Sequence, residues 1–200
     1  MEYTIKPLSP ELAATFTGYF NSIDFGHAPH WSTCYCRFYQ ANCTYEEWQN
    51  RTGEKNRLEA IDEIRAGNMK GYLAFNGDLC IGWCNANDAN QYVRLKEDIN
   101  HIIAGKKIGC VICFAIHQDY RKQGVARLLL KQAVEDFKSQ GYDAVIAIPV
   151  DMEDETEKLY RGTLNMYREL GFEEIERQEN MGVVWLELRQ RVDESLLTHL

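Results

Sequence analysis

The segment from Cys113 to Val134, CFAIHQDYRKQGVARLLLKQAV, constrains the fold more than any other part of the sequence. An apolar run that is typical of a buried strand leads into a basic turn with a single glycine, Gly124, and an amphipathic helix follows at once. A helix that begins directly after a strand leaves its first backbone N–H groups without intrahelical acceptors. Those groups and the helix dipole attract anions. The segment therefore predicts a strand–turn–helix unit with an anion site at the start of the helix.

The side chains of the turn favour a pyrophosphate as the anion. Gly124 has no Cβ to hold a phosphate away, Ala126 is small, and Arg121 and Lys122 bring positive charge. The pattern is neither a mononucleotide P-loop, which needs a second glycine followed by Lys-Ser/Thr, nor a dinucleotide fingerprint, which needs three glycines. The alternative is an ordinary strand-to-helix turn with a surface Arg-Lys pair.

Composition and charge argue against several classes of protein. Of the 200 residues, 45% are hydrophobic and 26% are charged, which is typical of globular proteins rather than disordered ones. The formal net charge of −8 leaves no basic excess for binding nucleic acid. A basic amine substrate would be compatible with this charge. We expect no nucleic-acid partner.

The sequence also predicts a soluble cytoplasmic protein without a membrane partner. No apolar segment approaches the ~20 residues that span a bilayer, and the first residues, MEYTIKPLSP, lack the pattern of a signal peptide. The seven cysteines are odd in number and lie mostly within apolar runs, which indicates reduced thiols.

The order of predicted elements is a strand, two helices, three strands, a helix, a strand, a helix and two strands. Thr44 and Glu47 form a capping-box pattern that opens the second helix, and this helix is expected to run to Gly67. Asn76-Gly77 lies between two apolar runs and predicts a hairpin turn. Residues 87–107 read as a polar loop. The remaining predicted elements are a strand at Ile108–Ile116, helices at Val125–Gln140 and Leu159–Leu170, and strands in DAVIAIPV, GFEEIERQ and MGVVWLELR.

The chain resembles the GNAT superfamily, the acyl-CoA-dependent N-acyltransferases. The resemblance rests on the turn YRKQGVA, on its flanking strands, and on Tyr167-Arg-Glu-Leu-Gly-Phe172, which matches the Tyr-x-x-x-Gly-Phe ending of the family. It covers residues 108–172 well and residues 70–86 more loosely. It implies an α/β (α+β) fold with a mostly antiparallel sheet of about seven strands, a central splay and about four helices. We expect a single domain over residues 1–200, with an N-terminal strand and acceptor-side helices in 1–68 and the acyl-CoA-binding core in 108–172.

In this family the pantetheine arm of acyl-CoA lies between the two splayed strands, and the pyrophosphate lies on the turn. The resemblance therefore implies a set of cofactor-binding residues: Phe114, Ala115, Ile116, Arg121, Lys122, Gln123, Gly124, Val125, Ala126 and Tyr160. Tyr160 stands seven residues before Tyr167, where the family often has an asparagine. It either assists at the cofactor or fills the space.

The resemblance also implies that Tyr167 is the general acid that protonates the departing CoA thiolate. A phenol with a pKa near ~10 stays protonated at neutral pH and suits this role. The alternative is a tyrosine packed on the core face of its helix.

The sequence does not identify the general base. Some family members carry a glutamate on the strand before the turn, but that position falls near Cys110. Asp88, Asp98, His101 and His117 are candidates, and a base that acts through water is an equal alternative.

The segment 27–43 is rich in cysteine and aromatic residues. Cys34-x-Cys36, with His27 and His30 upstream, lacks the two-residue spacer and the second ligand pair of a structural zinc site, so we expect no metal. The aromatic residues either wall an acceptor pocket or pack in the core. The candidate acceptor residues are Trp31, Tyr35, Trp83 and Asn85.

The function expected from the resemblance is transfer of an acetyl group from acetyl-CoA, as co-substrate, to a primary amine of a small molecule by direct attack. The alternatives are an acyltransferase that acts on a peptide N-terminus or a lysine, and a non-catalytic acyl-CoA-binding or sensing module. The acidic run Asp151–Glu157 is expected to be a solvated loop, and the alternative is that it attracts a cationic amine. The sequence leaves the acceptor, the acyl chain and the oligomeric state open, with a homodimer as one alternative.

Overall fold

Seven strands form one sheet at the centre of the structure, a computed structural model that describes residues 3–26, 28–149, 160–178 and 181–189. The strands are β1 (Thr4–Pro7), β2 (Gly71–Asn76), β3 (Leu79–Asp88), β4 (Ile108–Ile116), β5 (Ala144–Ala147), β6 (Glu173–Gln178) and β7 (Met181–Glu187). Their spatial order is β1-β2-β3-β4-β5-β7-β6. Among these strands, β4 and β5 make the one parallel pair. The predicted mixed, mostly antiparallel sheet of seven strands is confirmed.

Six α-helices surround this sheet in the described ranges, where about four were expected. They are α1 (Ala13–Ser22), α2 (Tyr45–Gln49), α3 (Gly53–Arg65), α4 (Lys96–Ile103), α5 (Val125–Ser139) and α6 (Leu164–Arg168). None of the helices within the described ranges has the length and apolar character needed to cross a membrane.

The helix predicted from Thr44 to Gly67 is divided into α2 and α3. The capping box is present, because Thr44 Oγ1 accepts from the backbone N–H of Glu47 and the Glu47 carboxylate accepts from the N–H of Thr44. Thr52 is extended, with φ −82° and ψ 151°, and caps α3 by accepting from the N–H of Lys55. The second cap ends the first helix and starts a new one.

Two further expectations need correction. The hairpin turn consists of Gly77 and Asp78, since Asn76 pairs with Leu79, and the positive φ of 59° falls on Gly77 alone. The predicted polar loop 87–107 contains α4. Its buried Ile99 and Ile103 lie four residues apart on one face, and polar neighbours obscured this spacing in the sequence.

The predicted helix Leu159–Leu170 is shorter in the described chain, where α6 begins after the Thr163 cap and ends at Arg168. Leu159, His27, Asn180 and the acidic run Asp151–Glu157 lie outside the described residues.

Helices cover both faces of the sheet. On one face α5 packs through Val125, Leu129, Ala133 and Phe137, all buried in one hydrophobic cluster. On the other face a second cluster joins residues of α1 and α3 to β2 and β3. The stripe on α5 has the spacing of an amphipathic helix whose apolar side contacts a sheet.

The sheet opens at its centre. β4 pairs with β5 over Ile108–Val111 and then continues to Ile116, where no strand of the described residues pairs with it on that side. On its other side β4 contains a bulge, since Asn85 of β3 pairs with Cys113 whereas Ala86 pairs with Val111. Ile112 is the extra residue, and a bulge bends and twists its strand. The bulge therefore coincides with the end of pairing to β5 and produces the expected splay.

The contact between β4 and α5 depends on Gly109. A Cβ at this position would lie 2.7 Å from ring atoms of Phe137. We expect Gly109→Ala to lower the free energy of unfolding by about 1–3 kcal/mol, the usual cost of overpacking. Gly18→Ala is the matched control, because a Cβ at this α1 position has no neighbour within 4 Å. It should stabilise the protein by about 0.5–1 kcal/mol. Urea unfolding measures both, and equal midpoints for the two variants would contradict the packing.

Candidate active site

The splayed end of β4 presents unpaired backbone groups to a cavity. The N–H of His117 donates to the carbonyl of Ile81 at 3.0 Å. Since hydrogen-bonded and non-bonded positions alternate along an antiparallel pair, the backbone groups of Phe114 and Ile116 point away from β3 into the gap. Arg121 Nε already donates to the Ile116 carbonyl at 3.1 Å. The gap is therefore lined by backbone groups that can pair with an extended amide-bearing chain.

The turn after β4 forms a concave backbone at the start of α5. Gly124 is the N-cap, with φ +83°, and Lys122 also has a left-handed φ of +60°. Leu128 N–H donates to the Gly124 carbonyl, so the preceding helical N–H groups lack intrahelical acceptors. A Cβ at Gly124 would have no neighbour within 4 Å among the residues that the structure describes. Successive N–H groups in such a turn form an anion-binding concavity.

A single cavity of about 1080 Å³ connects the gap with the turn. Seven of the residues expected to bind the cofactor line it: Phe114, Ala115, Ile116, Arg121, Lys122, Ala126 and Tyr160. The other three, Gln123, Gly124 and Val125, lie in the same turn but outside the lining. The Gln123 side chain is held by Tyr3 and by the Asp119 carbonyl, and Val125 is buried in the core.

Of the four candidate acceptor residues, Trp31 and Asn85 line this cavity. Asn85 is buried, accepts from Tyr92 Oη at 2.8 Å and donates to the Cys36 carbonyl at 3.3 Å. Trp83 and Tyr35 lie outside the lining. Trp83 is fully buried and donates to Cys36 Sγ, and Tyr35 donates to Asn21 Oδ1 at 2.6 Å. Both belong to the core cluster between the sheet and α1.

A group of two tyrosines and an arginine forms a polar wall that the sequence did not indicate. Tyr39 Oη and Tyr160 Oη are 3.0 Å apart, and both line the cavity. Arg161 donates through Nη2 to Tyr39 at 2.5 Å and through Nε to Tyr160 at 3.1 Å. Burial raises the pKa of Tyr39, so its hydroxyl is protonated at neutral pH. The chain separation of 121 residues explains why no local pattern links these two tyrosines.

Tyr167 is enclosed directly behind the cavity. It is fully buried, and its hydroxyl donates to the Arg161 carbonyl at 3.0 Å. A Cβ at Gly162, which lines the cavity, would lie 3.2 Å from the Tyr167 ring and 3.3 Å from Phe114. Burial raises the pKa of Tyr167 well above the ordinary tyrosine value. Gly162 thus brings this phenol close to the splay.

The four base candidates lie outside the cavity lining. Asp88 accepts from the N–H of Asn90, His117 from the N–H of Asp119, and His101 contacts Glu176 at 2.7 Å. Asp98 is an exposed residue of α4. His30 is the histidine among the described lining residues. Its ring contacts that of Trp31 with centroids 6.0 Å apart.

Three cysteines, Cys34, Cys36 and Cys113, also line the cavity. The Sγ atoms of Cys36 and Cys113 are 3.2 Å apart. Burial raises the pKa of Cys34 to about 12, and the hydrogen bond with Cys36 together with burial raises that of Cys113. These two thiols are therefore protonated and poorly nucleophilic at neutral pH. Within the described ranges no group of three His, Cys, Asp or Glu residues is arranged to hold a metal ion.

Solved structures with this fold are numerous, but their sequences are distant. An acetyltransferase of the GNAT family from Streptococcus pneumoniae has a TM-score of 0.55 and 16% identity, with 94% of this chain and 100% of that chain covered. The PaiA N-acetyltransferase from Thermoplasma acidophilum in complex with coenzyme A has a TM-score of 0.53 and 16% identity, covering 94% and 99%. The NatC complex bound to Gag peptide and CoA contains a chain with a TM-score of 0.54 and 15% identity, covering 94% and 100%.

The sequence itself matches the model of the acetyltransferase (GNAT) family over residues 33–172. No functionally curated protein matches the sequence significantly. The matched range contains the splayed β4, the turn before α5, and Tyr167. The chain belongs to the GNAT family and is an acetyltransferase.

Proposed function

We propose that this protein transfers an acetyl group from acetyl-CoA to the primary amine of a small molecule. The observation that carries the proposal is the single cavity, which extends from the turn before α5, along the unpaired part of β4, to an aromatic lining contributed by residues 31–48. The turn suits a pyrophosphate and the unpaired strand suits a pantetheine arm. The aromatic part leaves room for an acceptor beside the thioester.

In the proposed reaction the neutral amine attacks the thioester carbonyl carbon directly. The carbonyl π electrons move to oxygen, and a backbone N–H at the splayed end of β4, such as that of Phe114, donates to the resulting oxyanion. The C–S bond then breaks, the carbonyl re-forms, and CoA leaves as a thiolate that takes up a proton. The nitrogen loses one proton to a base. Direct attack is favoured over a cysteine acyl-enzyme because burial raises the pKa of Cys34, and the hydrogen bond with Cys36 together with burial raises that of Cys113.

Tyr167 is the proposed donor of the proton to the CoA thiolate. Burial raises the pKa of Tyr167, so the phenol carries its proton throughout the neutral range. Because a raised pKa also makes the phenol a weaker acid, the proton is transferred only when the CoA thiolate has formed beside the hydroxyl. The hydroxyl is bonded to the Arg161 carbonyl, and it would turn from this acceptor toward the sulfur when the thiolate forms. Tyr160, which lines the cavity, is the proposed cofactor contact in place of the asparagine common in the family.

His30 is the proposed acceptor of the amine proton, directly or through water. It is the histidine of the described lining, and histidine is the side chain that most often acts as a general base.

The direct test is thiol release from acetyl-CoA with a panel of amines, which includes polyamines, amino acids, arylalkylamines, lysine and a short peptide with a free N-terminus. Turnover with small amines and at least 10-fold slower turnover with the peptide is the expected result. Faster turnover with the peptide would move the function to a peptide N-acetyltransferase. Absence of turnover with every amine would overturn the proposal.

The pyrophosphate site is tested by a pair of glycine variants at the two ends of α5. Gly124 and Gly141 both have left-handed φ angles, of +83° and +72°, and a Cβ at either has no neighbour within 4 Å. Gly124→Glu and Gly141→Glu should each cost about 1–2 kcal/mol of stability, the strain of a left-handed non-glycine residue. Only Gly124→Glu places a carboxylate at the proposed phosphate site, so it should weaken CoA binding at least 100-fold in calorimetry. Equal CoA affinities in the two variants would show that the pyrophosphate binds elsewhere.

The acid role is tested by Tyr167→Phe. We expect kcat to fall about 10²-fold or more, the usual contribution of a general acid, with CoA affinity unchanged. Tyr142→Phe is the control, because Tyr142 is also buried but packs on Phe137 outside the cavity lining. It should keep the parental kcat. A Tyr167→Phe enzyme with the parental kcat would refute the assignment.

A further inference from the structure

The part of the cavity next to Tyr160 is a distinct aromatic compartment, here named the acceptor lobe. Its defining residues, all in the cavity lining, are Trp31, Phe38, Tyr45, Trp48 and Arg51. Trp31 contacts the Tyr160 ring edge-to-face with centroids 4.8 Å apart, which joins the lobe to the polar wall beside the splay. Phe38 and Trp48 contact each other in the same way at 5.2 Å. Tyr39 links these two ring pairs, since its hydroxyl lies 3.0 Å from that of Tyr160 and its ring contacts Phe38 with centroids 4.9 Å apart.

The rings are held from behind by a cation that is not part of the lining. The Arg94 guanidinium lies 4.7 Å from the centroid of Phe38 and 5.9 Å from that of Trp48. Its Nη2 donates to the Cys43 carbonyl at 2.9 Å, which fixes the guanidinium against the segment that carries both rings. An aromatic wall with such a support is preorganised for a flat apolar group, because little side-chain freedom is lost on binding.

Arg51 brings a fixed positive charge to the end of this wall. Its guanidinium lies 5.5 Å from the Trp48 ring, and Nε donates to Asn56 Oδ1 at 2.7 Å. Nη2 pairs with Glu59, and Asn56 in turn donates to the Thr33 carbonyl at 2.9 Å. The Arg51 side chain is only 9% exposed. Its Nη1 makes no hydrogen bond with any residue that the structure describes, so donors remain for a ligand.

The charge of the lining is opposite to that of the protein. The chain carries a formal net charge of −8, but the cavity residues within the described ranges include Arg51, Arg121 and Lys122 and no aspartate or glutamate. Arg121 and Lys122 belong to the turn before α5, which leaves Arg51 as the cation of the acceptor lobe. A guanidinium held in one orientation recognises a planar carboxylate through charge-assisted hydrogen bonds.

We propose that the acceptor is an α-amino acid with an aromatic side chain, whose ring lies against Phe38 and Trp48 and whose carboxylate binds Arg51 Nη1. This inference rests on the proposed acetyl transfer and names the substrate class of the same site. The α-amino group on the carbon next to this carboxylate is then the group that attacks the thioester. Glu59 pairs with Arg51, so the guanidinium is not buried uncompensated.

Matched acceptors separate the two groups that the lobe is proposed to recognise. Phenylalanine, 2-phenylethylamine, alanine and spermidine are compared by thiol release at saturating acetyl-CoA. Phenylalanine should exceed 2-phenylethylamine, which lacks the carboxylate, and alanine, which lacks the ring, at least 10-fold in kcat/KM. Faster turnover with spermidine or 2-phenylethylamine would overturn the inference.

Variants of Arg51 test whether this residue binds the carboxylate of the acceptor. Arg51→Met should lower kcat/KM at least 10-fold for phenylalanine and less than 2-fold for 2-phenylethylamine, with CoA affinity unchanged, and Arg51→Lys should restore part of the loss. The control is Arg57→Met, which removes a partly exposed arginine of α3 that pairs with Glu54. It should leave every acceptor unchanged. An equal loss for both acceptors in Arg51→Met would show that Arg51 only supports the fold.

A binding measurement keeps this inference separate from the proposed function. Calorimetric titration of phenylalanine into the protein–CoA complex should show binding that Arg51→Met weakens at least 10-fold. Binding without turnover on any amine would refute the proposed acetyl transfer and keep the ligand class. Turnover on other amines without binding of phenylalanine would refute the ligand class alone.

Discussion

The last five residues of β4, Ile112 to Ile116, run beside a gap where a neighbouring strand would otherwise supply hydrogen bonds. A buried backbone group without a partner costs about 1–3 kcal/mol, so this arrangement is stable only if another group takes the place of the strand. In the described chain Arg121 satisfies the carbonyl of Ile116. The backbone groups of Phe114, which also point away from β3, face the cavity. The candidate active site therefore lies where the pairing between β4 and β5 ends within the sheet.

The bulge at Ile112 sets the point at which β4 separates from β5. β3 stays paired with β4 on both sides of the bulge, so the sheet remains continuous while β4 turns away from β5. Asn85 lies opposite Cys113, immediately beside the bulge, and both ends of its amide are hydrogen-bonded, to Tyr92 and to Cys36. Such a fully satisfied buried polar group fixes its surroundings rather than destabilising them. It also connects the sheet to the segment that forms the aromatic part of the cavity.

That segment carries two residues in left-handed conformations, Tyr35 and Cys36, with φ angles of 44° and 52°. Non-glycine residues in this region cost of order 1–3 kcal/mol each and persist where surrounding contacts determine them. The Cys36 sulfur accepts from Trp83, its carbonyl accepts from Asn85, and the Tyr35 hydroxyl donates to Asn21. The core under the sheet therefore sets the path of the chain from which Phe38 and Tyr39 enter the cavity.

Local sequence patterns were enough to predict the elements whose bounds depend mainly on residues adjacent in the chain. β4 was predicted with the bounds Ile108–Ile116, and the start of α5 after Gly124 was predicted correctly, because an uninterrupted apolar run and a glycine before an amphipathic helix are local signals. The same reasoning missed α4, whose apolar residues are few, and it extended one helix across Thr52, where a second cap divides it.

Only the tertiary structure decided which side chains share the cavity. Trp31 and Trp83 had equal standing as acceptor residues in the sequence, but packing encloses Trp83 under the sheet and leaves Trp31 in the lining. The Tyr39–Tyr160–Arg161 group and the position of Arg51 beside Trp48 were likewise beyond the sequence. The turn before α5 is one continuous segment, so a pattern of consecutive residues is enough to predict it. The acceptor lobe is assembled from distant segments whose approach depends on packing of the whole chain.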